Sequence, residues 1–261
     1  NWWKNSPSIL GRLGMARYQL ILAYDGTDFS GFQRQGKHRT VQQVFETALK
    51  DLGWQEDSIL FAGRTDAGVH ASGQVVVFSL EWSHQDESLL EALNARLPAD
   101  AVVQKITRCM ADFHPRYDAK DRSYTYRIYH LSQPHPLLDR YAWRIWPTLE
   151  GDLLNQAARQ FIGRFDFSSF GRAMKPGSST IREIFESRWT TQEDGYQYQV
   201  TANAFLYHMV RRLVFMQVQF AKGSLTLNEL TKGLHEKVII KPGLAPSNGL
   251  VLSNVTYEGS E

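Results

Sequence analysis

Short apolar runs and amphipathic stretches alternate along this chain, and their order is its first readable feature. Residues 18–24 carry the aliphatic and aromatic content of a strand and run into the turn signal Asp25-Gly26-Thr27. Thr40-Val-Gln-Gln43 has the form of a capping box. Val41, Val44, Phe45, Ala48, Leu49 and Leu52 then recur at helical spacing, which predicts a helix of about 12 residues. The apolar run 59–62 ends at Gly63 and residues 74–79, apolar from Val75 to Phe78, read as a buried strand, so residues 63–70 join two strands. Ser88-Leu-Leu-Glu91 predicts a second capped helix that stops near Pro98, after which residues 101–106 return as a strand. The order is βαββαβ.

The second half repeats that order in different sequence. Residues 123–130 alternate as a strand, residues 152–162 form a helix closed by Gly163, and residues 181–190 and 196–202 pair as a hairpin about Glu193-Asp194-Gly195. A long helix is expected over 205–222, stopped by Gly223; Thr226-Leu-Asn-Glu229 caps another, and residues 249–257 close as a strand. The expected fold class is α+β: two tandem ferredoxin-like (βαββαβ) subdomains, residues 15–112 and 113–261, with mostly antiparallel sheets around a central cleft. Residues 1–14 read as a leader or an appended segment, with Met15 as the natural start.

Composition narrows the class of protein more than its activity. Of 261 residues, 43% are hydrophobic and 21% charged, values of a folded globular chain. A net charge of +2 barely argues for a polyanionic partner, although the basic excess falls in the second half. The single cysteine, Cys109, excludes an internal disulfide and a cysteine zinc cluster and fits a reducing, cytoplasmic setting. No run of about 18 apolar residues is available to span a membrane.

Chemistry concentrates in Gly63-Arg64-Thr65-Asp66-Ala67-Gly68-Val69-His70, which packs two glycines, a cation, a hydroxyl, a carboxylate and an imidazole between two apolar strands. Two readings of this loop stand side by side. In one, Arg64 and Asp66 are an ion pair in a turn shaped by Gly63 and Gly68. In the other, Asp66 is a nucleophile kept ionised by the Arg64 guanidinium, with Thr65 contacting sugar or phosphate. A metal site built from His70, His208 and Asp66 is rejected, because neither Glu nor Cys accompanies them at ligand spacing. Lys37, His38 and Arg39 form a short basic loop, a candidate for phosphate contact.

The eight-residue loop resembles the signature of the tRNA pseudouridine synthase A family, and further matches follow in that family's order. They are Tyr24-Asp-Gly-Thr27 with Gly31-Phe-Gln-Arg-Gln35, Asn94-Ala-Arg-Leu-Pro98, Phe113-His-Pro-Arg116, Tyr124-Thr-Tyr126, Phe205-Leu-Tyr-His-Met-Val-Arg-Arg212 and Gly249-Leu250-Val-Leu252. The chain departs from the pattern with Phe32 in place of Trp and Phe215 in place of Gly. The resemblance implies a pseudouridine synthase fold and isomerisation of uridine, in which the base leaves C1′, turns and rejoins through C5, with no cofactor and no metal. It implies Asp66 as nucleophile with Arg64, and Tyr124 stacking on the base with a hydroxyl able to move the C5 proton, supported by Tyr126. Arg211 is then an anchor for the aspartate or a phosphate, Arg212 a weaker candidate on another helix face, and Leu250 an apolar contact at the site. His208 stands three positions before Arg211 and reads either as cleft-facing or as a hydrogen-bonded core histidine. The implied partner is tRNA, through the anticodon stem-loop at positions 38 to 40, bound by a homodimer. Attack of Asp66 on C6 or on C1′ stays open, and an inactive RNA-binding protein or an aspartate-dependent hydrolase are the competing readings.

Overall fold

A computed structural model of the chain describes residues 14–175, 177–236, 238 and 241–258. All but Gly14 of the expected leader lies outside the described residues. The first unit is strand β1 (Ala16–Tyr24), helix α1 (Val41–Lys50), β2 (Leu60–Phe61), β3 (His70–Leu80), α2 (Asp86–Asn94) and β4 (Ala101–Arg108). The second begins with β5 (Asp121–Tyr129), the one-turn helix α3 (Pro136–Asp139), β6 (Trp143–Arg144), α4 (Gly151–Arg159) and β7 (Gly163–Asp166). It continues through β8 (Ile181–Gln192), β9 (Gly195–Ala202), α5 (Met209–Ala221), α6 (Leu227–His235) and β10 (Leu250–Thr256).

The strands form one sheet ordered β4-β1-β3-β10-β5-β9-β8-β7, with β2 on β3 and β6 on β5. Each unit keeps the split-βαβ arrangement, β4-β1-β3-β2 in the first and β10-β5-β9-β8 in the second. The sheet is antiparallel except where β6 lies on β5 and where the units meet: β10 runs parallel to β3, with Val251 opposite His70 and Leu252 opposite Ala71. The central position of β3 explains its continuous apolar run, since nearly every residue from His70 to Leu80 is buried. On β1 the alternation buries Tyr18, Leu20, Leu22 and Tyr24 in a core cluster that extends into the second unit through residues such as Tyr126, Phe161 and Leu213.

Three local expectations are corrected. Helix α2 begins at Asp86 behind Gln85, and the Ser88 hydroxyl donates to Gln85 O at 2.7 Å, so no capping box forms at Ser88. The helix expected from residue 205 starts at Met209, because His208 takes a left-handed φ of 66° that breaks the periodic pattern before it. His70 is the first residue of β3 rather than a loop residue. The box at Thr226 forms as expected, with Glu229 N–H donating to Thr226 Oγ1 (3.2 Å) and Thr226 N–H to Glu229 Oε2 (2.8 Å).

The two departures from the family pattern are absorbed by packing. Phe32 is fully buried between Tyr24 and Phe61, with ring centroids 6.1 and 4.6 Å away. The Phe215 ring lies over the bare backbone of Gly243, where a Cβ would meet it at 2.1 Å.

Candidate active site

The loop from Gly63 to His70 is bolted to its surroundings through its backbone. The buried Gln74 amide brackets Gly63, donating to its carbonyl (2.7 Å) and accepting from its N–H (3.3 Å). Tyr24 Oη and Thr65 Oγ1 share a hydrogen bond of 2.8 Å, and Thr65 O accepts from Phe32 N–H (3.1 Å). Gly31, at φ +93°, stands so close that a Cβ would come within 2.9 Å of Thr65 O, so only glycine fits behind the loop. Beyond Asp66 the chain reverses at Gly68, φ +76°, whose N–H donates to Phe29 O. Thr65 is thereby a buried strut of the loop, 7% exposed, although it touches the cavity.

His70 fastens the far end of the loop to both units. Its Nδ1 accepts from Gly26 N–H at 3.0 Å and its Nε2–H donates to Asn248 O at 3.1 Å, the turn that leads into β10. Burial lowers its pKa, outweighing Asp25, whose Oδ1 lies 3.1 Å from Nδ1. With Nδ1 occupied by the Gly26 N–H the ring is neutral, and the approach to Asp25 is not an ion pair. Burial raises the Asp25 carboxyl, but hydrogen bonds from Thr27, Tyr141 and Arg140 outweigh it and leave Asp25 well below the usual carboxylate range. Arg140 and Tyr141 belong to the second unit, each 2.9 Å from Asp25 Oδ2, so this cluster is a polar clamp across the seam.

With its backbone fixed, the loop presents Asp66 to a cavity of about 560 Å³ lined from both units, by Arg64 and Asp66 on one side and Tyr124, Phe205, Arg211 and Leu250 on the other. Arg211, on the first turn of α5, donates from Nη1 to Asp66 Oδ2 at 3.0 Å and from Nε to Ala245 O at 2.8 Å, so one planar fork ties the carboxylate to the backbone. His208 Nε2 lies 3.4 Å from the same Oδ2. No side chain or backbone group among the described residues bonds Asp66 Oδ1. Tyr124, on β5, is 9% exposed and packs edge-on against Phe205 at 5.1 Å. Burial, with Asp66 adding to it, raises the pKa of its phenol, which stays protonated; its hydroxyl has no partner among the described residues. Leu250 opens β10 opposite Tyr126, whose hydroxyl donates to Pro246 O at 2.9 Å, so Tyr126 supports the site from below.

Arg64 is not the counter-ion of Asp66. Its side chain is exposed and makes no ion pair or hydrogen bond among the described residues; desolvation, with Arg116 adding to it, lowers its pKa. Two residues apart in the loop, Arg64 and Asp66 form no ion pair, and the arginine 145 positions downstream takes the role that sequence proximity had suggested for Arg64. Arg212 faces the other way, 8% exposed, and donates to Gly243 O at 2.7 Å. In the basic loop, Arg39 is occupied by a two-bond pair with Asp100 (2.8 and 2.9 Å) over the Phe29 ring. Among the described residues no group of three or more His, Cys, Asp and Glu is placed to hold a metal ion, and no helix is long and apolar enough to cross a membrane.

A carboxylate with one oxygen gripped and one open thus shares with a protonated phenol a cavity lined from both βαββαβ units. A family profile described as tRNA pseudouridine synthase matches residues 20–118 and 157–258 and thus takes in Asp66, Arg211 and Leu250. The chain belongs to the tRNA pseudouridine synthase family. Tyr124 falls between the two matched segments, and so rests on the geometry. Relatives named tRNA pseudouridine synthase A share its sequence nearly end to end. That of Pseudothermotoga lettingae is 38% identical over 93% of this chain and 100% of its own length. That of Limosilactobacillus fermentum is 35% identical over 94% and 97%, and that of Staphylococcus aureus N315 is 35% identical over 94% and 92%. As a tRNA pseudouridine synthase the chain is an isomerase, and it has the pseudouridine synthase fold.

Proposed function

We propose that this synthase isomerises uridines at positions 38 to 40 of the tRNA anticodon arm, with Asp66 Oδ1 as the nucleophile. The observation that carries the reading is the grip on Asp66: Arg211 holds Oδ2 and leaves Oδ1 unpartnered in the cavity. A guanidinium at 3.0 Å pairs with the carboxylate and fixes its orientation in a site that a bound base would dry. The target base, extruded from its stack, lies against Tyr124 and Leu250, while Thr65, Arg211 and His208 border it. Attack by Oδ1, on C6 or on C1′, forms a bond to the aspartate and the N1–C1′ bond breaks; the base turns, C5 bonds to C1′, the bond to Asp66 breaks to regenerate the carboxylate, and the C5 proton leaves as N1 regains one, so nothing is oxidised, reduced or hydrolysed. The Tyr124 hydroxyl is positioned to exchange that proton. Arg64, beside Arg116 at the rim, serves a phosphate of the arm rather than the carboxylate. The enzyme works in the cytoplasm as a homodimer, without cofactor or metal, as the family resemblance implies.

The test is pseudouridine mapping in tRNA incubated with purified protein and a chelator. Wild type is expected to modify uridines at 38 to 40, and Asp66→Ala to abolish this while binding tRNA with little change. Full activity in Asp66→Ala would sink the mechanism; modification confined to another arm would sink the assignment of position.

A further inference from the structure

His208 is the only residue other than glycine with a left-handed backbone among those described, φ 66°, and it stands at the active site. That conformation is costly for a side chain with a Cβ and persists where the surroundings hold it; such outliers gather at functional sites. Here the holding is visible. Tyr207 pairs with Arg172 in a two-bond bridge (3.0 and 3.2 Å), the Arg172 guanidinium lies 5.2 Å over the Tyr207 ring, and the His208 imidazole stacks on that ring at 3.7 Å. The turn ends with Arg212 N–H donating to His208 O, the bond that starts α5. The imidazole thus clamped has its Nε2 3.4 Å from Asp66 Oδ2, the oxygen already bonded by Arg211.

We propose that His208 is a positioning residue for Asp66: neutral, it leaves the carboxylate to Arg211 with Oδ1 open; protonated, it takes Oδ2 in a second charge-assisted bond and blunts the nucleophile. The catalytic half of this inference rests on Asp66 being the nucleophile. The charged groups facing the ring are Asp66 from the loop, Arg211 from α5 and Arg172 from the bridge. Burial lowers its pKa from the ordinary histidine value; Asp66 pulls it up, while Arg211 and Arg172 push it down, so near neutral pH the ring is uncharged. A second cation on one oxygen draws electron density from the carboxylate and restrains its swing toward the base.

Two measurements on the full chain test this. In the first, the His208 imidazole is titrated by NMR, its resonance assigned by its absence in His208→Asn, a replacement that tolerates the left-handed backbone. Its midpoint is expected below about 6.5 and lower still in Asp66→Asn, where the stabilising carboxylate charge is gone. A midpoint unmoved by Asp66→Asn would overturn the pairing. In the second, the single-turnover rate of pseudouridine formation is followed against pH. Wild type is expected to lose rate along an acid limb that tracks the NMR midpoint. His208→Asn should show a limb displaced to lower pH and a plateau three- to tenfold below wild type as a rough guide, with tRNA affinity retained. An unchanged limb and plateau would overturn the positioning role. If wild type makes no pseudouridine at any pH, the nucleophile reading fails by itself, and the titration still decides whether His208 and Asp66 are paired.

Discussion

At the scale of single residues, Asp66 is held by a guanidinium that sequence proximity does not point to. The signature places Arg64 two positions away, whereas the bond comes from Arg211, whose fork spans Asp66 Oδ2 and Ala245 O. Arg211→Ala should therefore lower kcat by about a hundredfold or more with tRNA affinity largely kept, because it removes a charge-assisted bond to the proposed nucleophile. Arg64→Ala should chiefly raise KM and flatten the salt dependence of binding, as loss of a phosphate contact does. Steady-state kinetics at two salt concentrations separate the two; equal kcat losses would contradict the assignment. His70 sets a pH response of a different kind. Its pKa is lowered by burial in the folded chain, so the unfolded chain takes up the proton first. The stability it confers is fully present above about pH 6.5 and is lost as pH falls from there through the folded value. Melting temperature is expected to fall over that window in wild type and to fall less in His70→Asn, which retains an acceptor for Gly26 N–H but cannot charge. Asp25, also depressed, acts only lower, in the carboxylate range, so its contribution does not mask the histidine step.

At the scale of elements, most of the fold was legible because the strands differ in how they are buried. Burial alternates along β1 and is nearly continuous along β3, where Val75 to Phe78 are all apolar, which reports one half-covered and one central strand. Misreadings came where local bonding competes with periodicity. Ser88 spends its hydroxyl on Gln85 O inside α2, and the helical pattern through Phe205, Leu206 and Met209 conceals the break at His208. No pattern of apolar residues reports a left-handed residue, and none reports which arginine reaches Asp66 across 145 positions. The glycine behind the loop was quoted only as part of a motif, yet it decides how close two backbones approach. Gly31→Ala combines a left-handed φ with a Cβ 2.9 Å from Thr65 O, a backbone atom that cannot step aside. It should cost about 2 kcal/mol or more of stability and depress kcat further by displacing Asp66. Thr226→Ala, which removes the capping box of α6, is the control: about 1 kcal/mol of stability with kcat unchanged. Comparable kcat for Gly31→Ala and Thr226→Ala, measured on folded protein, would mean that loop placement does not govern the chemistry.

At the scale of the whole molecule, the two units are separate in sequence order but not in structure. β3 and β10 join their strands into one sheet, and Asp25 with Arg140, His70 with Asn248 and Asp66 with Arg211 bond across the seam. The site itself is divided, since Asp66 comes from the first unit while Tyr124, Arg211 and Leu250 come from the second. Docking of the units is thus a condition of activity, and it is coupled to folding because the core cluster runs through both. The chain should unfold as one cooperative transition. In urea, hydrogen exchange of peptides from β1 and β4 and of peptides from β8 and β9 is expected to give coincident midpoints, with pseudouridine formation lost at the same denaturant concentration. Leu20→Ala, in the fully buried part of β1, should cost about 2–5 kcal/mol and move all three midpoints together. If it moved only the β1 and β4 peptides, the units would be independent domains that meet without folding together, and the seam bonds would position the active site without stabilising the chain.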